Sequence, residues 1–512
     1  ATGSAPGMEA LALMAHSGLS IVDSKGIPRA RLAEEVPSLE NGLWKLFSDG
    51  RMETTWKIRP NAEWHDGTPF TSEDLRFTYA IEEDKDLVLF GHAAFRFVES
   101  VNGPDPRTVT VRWKQPAIHA SLLFGSDGDR SVLPLPKHLL QRAYIEDKPT
   151  FLSLPYWTTE YVGAGPYRLS EWVADSHAIF VANDRYPLGR PKIDEIEVRF
   201  IRDLNTLAAN LLAGAVDVSL GRTLSLDLAE DVVSRVGGAK MVIGPSGTVF
   251  AYPQFVSPDP PILGNLQFRR ALLQAVDRQQ MVESLLNGRT SIAHTFISPS
   301  EPDYPAIEAS IVKYPYDPRV AGEMIDGLGY ARGADGGYRD AAGQRLSLEL
   351  RGDASGAETS GQATLALADA WKRAGVGVEL HTVPRQRQGD LEYRATYPGL
   401  EMSSRGNYRW DLARVLGSSG AAVPENGFLG GNRGRYMNAG LDALIDGYES
   451  TIPLSQRNQL LGQIVRQVSD QVVLMGMLYT LEATVHLGRL QNVDTKLERS
   501  TQVWNVHEWE VQ

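Results

Sequence analysis

Between residues 107 and 113 apolar side chains fall at every second position, Val109, Val111 and Trp113, and residues 195–201 repeat the pattern with Ile196, Val198 and Phe200. Period two puts each set on one face of an extended strand. Elsewhere the period is helical. Leu204, Leu207, Ala208, Leu211 and Leu212 follow Asp203 and stop at Gly214, which predicts a helix with an Asp N-cap and a glycine stop. Asp317-Pro318 predicts a second cap with a first-turn proline, leading Val320, Ala321, Met324, Ile325 and Leu328 to Gly329. Asp277 with Gln280 has the spacing of a capping box ahead of Val282, Leu285, Leu286 and Gly288. Leu460, Leu461, Ile464, Val465 and Val468 form one more stripe. Each stripe is expected to face a core. Strand-like and helix-like segments alternate throughout, so the expected class is α/β.

Breaks rich in Pro and Gly fall at residues 253–264, 298–305, 333–343 and 417–434, and no tandem repeat or low-complexity tail is present. A length of 512 residues corresponds to roughly three or four domains. Cysteine is absent, which removes thiolate nucleophiles, disulfides, Cys-based zinc sites and iron–sulfur clusters. A net charge of −12 without a basic block argues against a nucleic-acid partner. The apolar run at residues 472–479 is far short of the ~20 residues that span a bilayer, so no transmembrane segment is expected. No charged leader with a following apolar stretch opens the chain, which predicts that any signal peptide has been removed.

Enzyme signatures are missing where they would be readable. There is no H-E-x-x-H, no G-x-S-x-G and no Gly-Lys dipeptide, and the ten His residues lack metal-ligand spacing. Gly327-Leu328-Gly329 opens like a dinucleotide fingerprint, but the third glycine, Gly333, comes one residue late and the motif follows a helix. It reads as a helix stop. Neither a cofactor nor a metal site is expected. A Ser/His/Asp triad from distant positions stays open, because triads are defined by geometry.

The segment Trp56-Lys57-Ile58-Arg59-Pro60, followed by Trp64-His65-Asp66-Gly67-Thr68-Pro69-Phe70-Thr71-Ser72-Glu73-Asp74, predicts a strand, a reversing turn and a helix capped by Thr71 and Asp74. It resembles the signature of the family 5 extracellular solute-binding proteins of ABC importers, the peptide, nickel and oligosaccharide receptors. The likeness continues in order. Gly163-Ala164-Gly165-Pro166-Tyr167 is similar to the family's Gly-x-Gly-Pro-Tyr stretch, and Asn183-Asp184-Arg185-Tyr186 with Gly189-Arg190-Pro191 to its next hairpin. Leu212-Ala213-Gly214-Ala215-Val216-Asp217, Phe268-Arg269-Arg270-Ala271-Leu272 with Ala275-Val276-Asp277-Arg278, Tyr316-Asp317-Pro318 and Gly431-Asn432-Arg433 with Tyr436 complete the series. These motifs are mostly scaffold, and they identify a fold rather than a cargo.

The resemblance implies a two-lobed periplasmic-binding-protein-like α/β fold of type II, with an extra subdomain and a ligand cleft between the lobes. Lobe I is expected at 1–255 with an inserted subdomain at about 31–160, lobe II at 256–471, and a return segment at 472–512 completing lobe I. The implied function is capture of a small solute by hinge closure and delivery to ABC-transporter permease subunits, with no bond made or broken. A monomer outside the cytoplasmic membrane is implied, periplasmic or extracellular, with any lipid anchor on an upstream residue. Relative to the family, the stretch before Ala12 looks short. A hydrolase on a two-lobed scaffold and a sensory receptor with the same fold stay open as alternatives.

Specificity departs from the family's dipeptide receptors, where an Asp-rich loop of the second lobe pairs with the peptide's amino terminus. Here the comparable stretch is Met402-Ser403-Ser404-Arg405-Gly406-Asn407-Tyr408-Arg409-Trp410-Asp411, with Arg405 at the anchoring position and only Asp411 acidic. A guanidinium suits a carboxylate or phosphate, and Tyr408 and Trp410 offer flat apolar faces with polar handles. The expected ligand is therefore a peptide or another carboxylated small molecule. Arg405, Asn407, Tyr408, Trp410 and Asp411 are the first candidates for its site. Tyr252 and Gln254, His16 and Ser17, Trp157 and Phe296 are the others. Each has a plain structural reading too: a surface ion pair for Arg405, core packing for Trp410 and Trp157, hinge-strand packing for Tyr252 and Gln254, a satisfied imidazole for His16.

Overall fold

The computed structural model describes residues 7–87, 93–126, 132–220, 224–352, 358–406, 411–496 and 500–512. The chain folds into two compact units, Ala1–Gly244 with Glu482–Gln512, and Pro245–Leu481. It passes from one unit to the other inside two strands, Lys240–Pro253 and Met475–His486.

The first unit contains a four-stranded antiparallel sheet ordered Trp44–Leu46, Met52–Lys57, Thr108–Trp113, Val98–Asp105. The alternation at residues 107–113 fixes its register. Val109, Val111 and Trp113 are buried opposite Trp56, Thr54 and Met52. Two polar groups on that face meet, Trp113 Nε1 donating to Thr54 Oγ1 at 3.0 Å. After the sheet strand, an isolated bridge between Glu63 and Pro69 closes the reversing turn. The helix Ser72–Glu82 then starts with the expected capping box, Asp74 Oδ2 accepting from the Thr71 amide at 2.9 Å.

A second sheet of this unit pairs Tyr167–Val173, His177–Ala182 and Glu195–Arg199, all antiparallel. Tyr167, Ala178, Phe180 and Ala182 are buried with Leu11, Leu13 and Met14 of the helix Met8–Ala15 and with Val503, Val506 and Trp509. The C-terminal return is thus part of the core of the unit where the chain begins. The Gly-x-Gly-Pro-Tyr stretch has a steric cause. A Cβ at Gly163 would lie 2.0 Å from the Ala15 carbonyl oxygen, and one at Gly165 would lie 2.4 Å from the His16 amide nitrogen. Only glycine lets the two backbones approach so closely.

The second unit is built on a five-stranded mixed sheet ordered Gly377–His381, Ser347–Arg351, Leu400–Arg405, Lys240–Pro253, Met475–His486. Ser347–Arg351 runs parallel to both of its neighbours, and Leu400–Arg405 runs antiparallel to Lys240–Pro253. Around it pack helices with the predicted apolar stripes. Ile464, Val465 and Val468 of Leu454–Asp470 are buried, as are Ala321 and Ile325 of Pro318–Gly327. The stripe of Leu204–Leu212 is narrower than its spacing suggests. Leu207, Ala208 and Leu211 are buried, but Leu204 and Leu212, at its two ends, are exposed because nothing covers the terminal turns.

Three of the predicted caps form: Asp203, Asp277 and Asp317 accept from backbone amides of the first turns they precede. Asp317 takes two, from Arg319 at 3.1 Å and Val320 at 2.9 Å. Substituting Asp317→Ala is expected to cost about 1 kcal/mol, read as a lower urea midpoint, with Asp317→Asn close to wild type. Equal midpoints for wild type and Asp317→Ala would refute the cap. Among the described residues no helix is long and apolar enough to cross a membrane.

Candidate functional site

Strand Leu400–Arg405 carries the chemistry of the second unit. Its register places Glu401 opposite Tyr252, Ser403 opposite Phe250 and Arg405 opposite Thr248, all on one face. The other face carries Leu400 and Met402, fully buried, and Ser404. Arg405 reaches back along the polar face, its guanidinium carbon 6.0 Å from the centroid of the buried Tyr252 ring. That distance is at the limit of a cation–π contact. The Arg405 guanidinium makes no hydrogen bond or ion pair among the described residues.

Glu401 is 1% exposed and holds two guanidiniums. Arg394 donates to its Oε1 from Nε at 3.0 Å and from Nη2 at 2.7 Å. Arg433 Nη1 donates to Oε1 at 2.9 Å and to Oε2 at 2.8 Å. Burial works against the charge of Arg433, but Glu401 outweighs it and holds the guanidinium pKa above its ordinary value. Tyr397 lies within electrostatic range of Glu401, Arg433, Tyr252 and Arg435, and its buried hydroxyl has no hydrogen-bond partner among the described residues. Burial, then Glu401, push the phenol well above its usual pKa, so it stays a neutral donor.

Gln254, at 0% exposure, is committed to internal partners. Its Nε2 donates to the Ala395 and Tyr397 carbonyls, both at 3.1 Å, and its Oε1 accepts from the Val256 amide and Arg435 Nε, both at 3.0 Å. The side chain is a brace between strand ends. Asp411 is buried at the N-cap position of Leu412–Val415, 3.6 Å from Arg414 Nη1, and Phe296 is buried. Asn407, Tyr408 and Trp410 lie outside the described residues.

The first-unit candidates sit in tighter surroundings. His16 is buried, its Nε2 2.7 Å from the Pro134 carbonyl, and its Nδ1 accepts from the Ser17 amide at 3.0 Å and the Ala164 amide at 3.1 Å. Two amide donors on Nδ1 require the neutral Nε2–H tautomer. Burial lowers its pKa to about 4, against the opposing pull of the Pro134 carbonyl. His16 and Ser17 line a small space with Arg31, Tyr186, Trp504 and His507 that has room for about one water molecule. Trp157 is half-buried, with Nε1 donating to the Phe151 carbonyl at 2.6 Å and its ring against Phe151 and Tyr156.

The sequence candidates therefore fall into two sets. Arg405 and Tyr252 come together, and His16 with Ser17 adjoin a one-water space. Glu401, Arg394 and Tyr397 were not foreseen, because a charged residue inside an apolar strand run carries no periodic signal. Arg433 could have been found, since it closes the Gly431-Asn432-Arg433 motif. Among the described residues no group of three or more His, Cys, Asp or Glu could hold a metal ion.

Residues 31–420 match the family described as bacterial extracellular solute-binding proteins, family 5 Middle. The chain belongs to the family 5 extracellular solute-binding proteins. Curated relatives of the chain include the oligopeptide-binding protein AppA of Bacillus subtilis, 23% identical over 505 residues, which are 97% of this chain and 86% of that protein. A Brucella ovis protein, provisionally named an ABC transporter peptide-binding protein, is 28% identical over 299 residues. That match covers 58% of this chain and 53% of the relative, so the chain spans about half the length of the Brucella relatives it matches.

Solved family 5 folds superpose along the whole chain. AppA from Bacillus subtilis in complex with a nonapeptide gives a TM-score of 0.79 at 20% identity, covering 100% of this chain and 95% of that one. NikZ from Campylobacter jejuni in complex with Ni(L-His) gives 0.78 at 21% identity, covering 97% and 94%. At these identities the likeness establishes the shared mixed α/β fold. The glycine contacts at Gly163 and Gly165 show how one of the family 5 motifs in this chain holds its fold.

Proposed function

We propose that this chain is the extracytoplasmic receptor of an ABC importer, which captures a small carboxylated solute, a peptide or another organic acid, and hands it to the permease. Family membership supports capture and delivery, and favours binding over the hydrolase alternative. The relatives supply the range of cargo: the AppA structure contains a nonapeptide and the NikZ structure Ni(L-His). The single observation that carries the choice of a carboxylated solute is Arg405. A partly exposed guanidinium beside an aromatic ring, with no carboxylate partner among the described residues, is prepared for an anionic group from outside.

Unfolding the purified protein to release what it carries, with mass spectrometry of the released molecules, tests the reading directly. After refolding, the same molecule is expected to raise the melting temperature, since it binds only the native state. Arg405→Ala is expected to weaken its affinity by about 10- to 100-fold, the loss of charge-assisted hydrogen bonds worth about 1.5–3 kcal/mol. Unchanged affinity in Arg405→Ala would remove the arginine from the site.

A further inference from the structure

An acidic chain places an excess of arginine on one face of its second unit. Arg394, Arg405, Arg433 and Arg435 gather there, and Glu401 is the carboxylate that pairs with any of them among the described residues. Arg435 is bonded to neutral partners, Gln254 Oε1 and the Val256 carbonyl. Uncompensated guanidiniums in partly desolvated positions repel one another and lose hydration, so such an arrangement is costly unless an anion completes it.

Two of these side chains are shaped to receive one. Arg405 has no protein partner among the described residues. Arg433 spends only Nη1 on Glu401, leaving Nε and Nη2 without a protein partner among the described residues, and its side chain is 21% exposed. Both lie within range of Tyr252, and beside Arg433 is the buried hydroxyl of Tyr397, which has no hydrogen-bond partner among the described residues. Glu401 is the positioning residue. It fixes Arg433 by one nitrogen and leaves the rest of the planar fork open.

We propose that Arg405 and Arg433 are two arms of one anion site, and that the solute carries two negative groups, as an organic dicarboxylate or an acidic peptide does. This rests on the receptor reading above and narrows its ligand. A single carboxylate would satisfy one arm and leave the other uncompensated. A dianion engages both, and the discrimination between them comes from Arg433.

The test is native mass spectrometry of the full chain, refolded from guanidinium chloride to clear carried solute. It is offered four defined mixtures: N-acetyl tripeptide amides, the same peptides with a free carboxyl terminus, those peptides with one residue replaced by glutamate, and straight-chain dicarboxylic acids. Retention from one of the two dianionic mixtures is expected to exceed the monoanionic one by about tenfold or more, and which of the two is retained separates peptide from simple diacid. Arg433→Gln is expected to abolish that preference. Arg433→Lys keeps the charge against Glu401, so it is expected to fold, bind more weakly and still prefer dianions. Retention from the neutral or monoanionic mixtures that equals or exceeds the dianionic ones overturns the two-armed site but leaves the receptor reading intact, as does an Arg433→Gln variant that loses all mixtures in parallel. Retention from none of the four overturns both.

Discussion

Glu401→Ala is expected to destabilise the protein by about 3 kcal/mol, the low end of the ~3–5 kcal/mol typical for breaking a buried ion pair from one side. The cost comes from the partners left behind. Arg394 and Arg433 would remain charged with side-chain exposures of only 15% and 21%. That residual exposure lets water recover part of the loss, hence the low end of the range. Denaturant midpoints of the full chain measure it. The diagnostic comparison is the triple variant Arg394→Met, Glu401→Met, Arg433→Met, which removes all three charges and keeps side-chain volume. It is expected to recover most of the stability of the wild type, because a buried charge cluster is dear to break and cheap to replace whole. The same variant is expected to lose the anionic solute. A cost below about 1 kcal/mol for Glu401→Ala would show that the cluster is solvated.

The contrast between Glu401 and Arg405 explains what the sequence could and could not say. Helix starts at Asp203, Asp317 and Thr71 were readable because a cap is a local event, complete within four residues. Val109, Val111 and Trp113 were readable because one sheet face is buried and the other is not. Around residue 401 that contrast is lost. Leu400, Glu401, Met402 and Ser403 are all buried, so alternation gives no sign of which face is polar. Nor does sequence separation help, since the two arginines on Glu401 lie 7 and 32 residues away.

The ordered motifs found the family. Gly165 was read as a backbone device, and its close approach to Ala15 and His16 gives the cause. Gln254 was a pocket candidate by position, yet its amide is spent on four internal partners. An amide with all of its bonds made inside the protein looks, in sequence, the same as one awaiting a ligand. Arg405 was singled out for a different reason: the resemblance implies an acid at its position in the family's dipeptide receptors, and binding by Arg405→Ala tests that expectation.

Acid is expected to weaken the first unit well before its carboxylates titrate. His16 and His65 are both held neutral, each with a pKa lowered from 6.5 to about 4, burial being the largest cause. Both clamp the same backbone: His16 Nδ1 accepts from the Ala164 amide, and His65 accepts from Gly163 while facing the Gly165 carbonyl. The sign follows from proton counts. Between pH 6.5 and about 4 the unfolded chain has bound protons at these residues and the folded chain has not. Their contribution is therefore complete above pH 6.5 and falls as pH is lowered, by about 2 kcal/mol for each imidazole near pH 5 and about 3 kcal/mol at the limit. Asp74, whose carboxyl is raised by burial, acts in the opposite direction and only at the acid end. Urea midpoints across this window should fall steeply. In His16→Gln, which keeps an amide donor and acceptor but does not titrate, the fall should be smaller but should persist, because burial also lowers His65 to about 4 and His507, in the same unit, to about 3. A midpoint independent of pH down to about 5, or an equal fall in the variant, would show that the imidazoles are not the groups that respond.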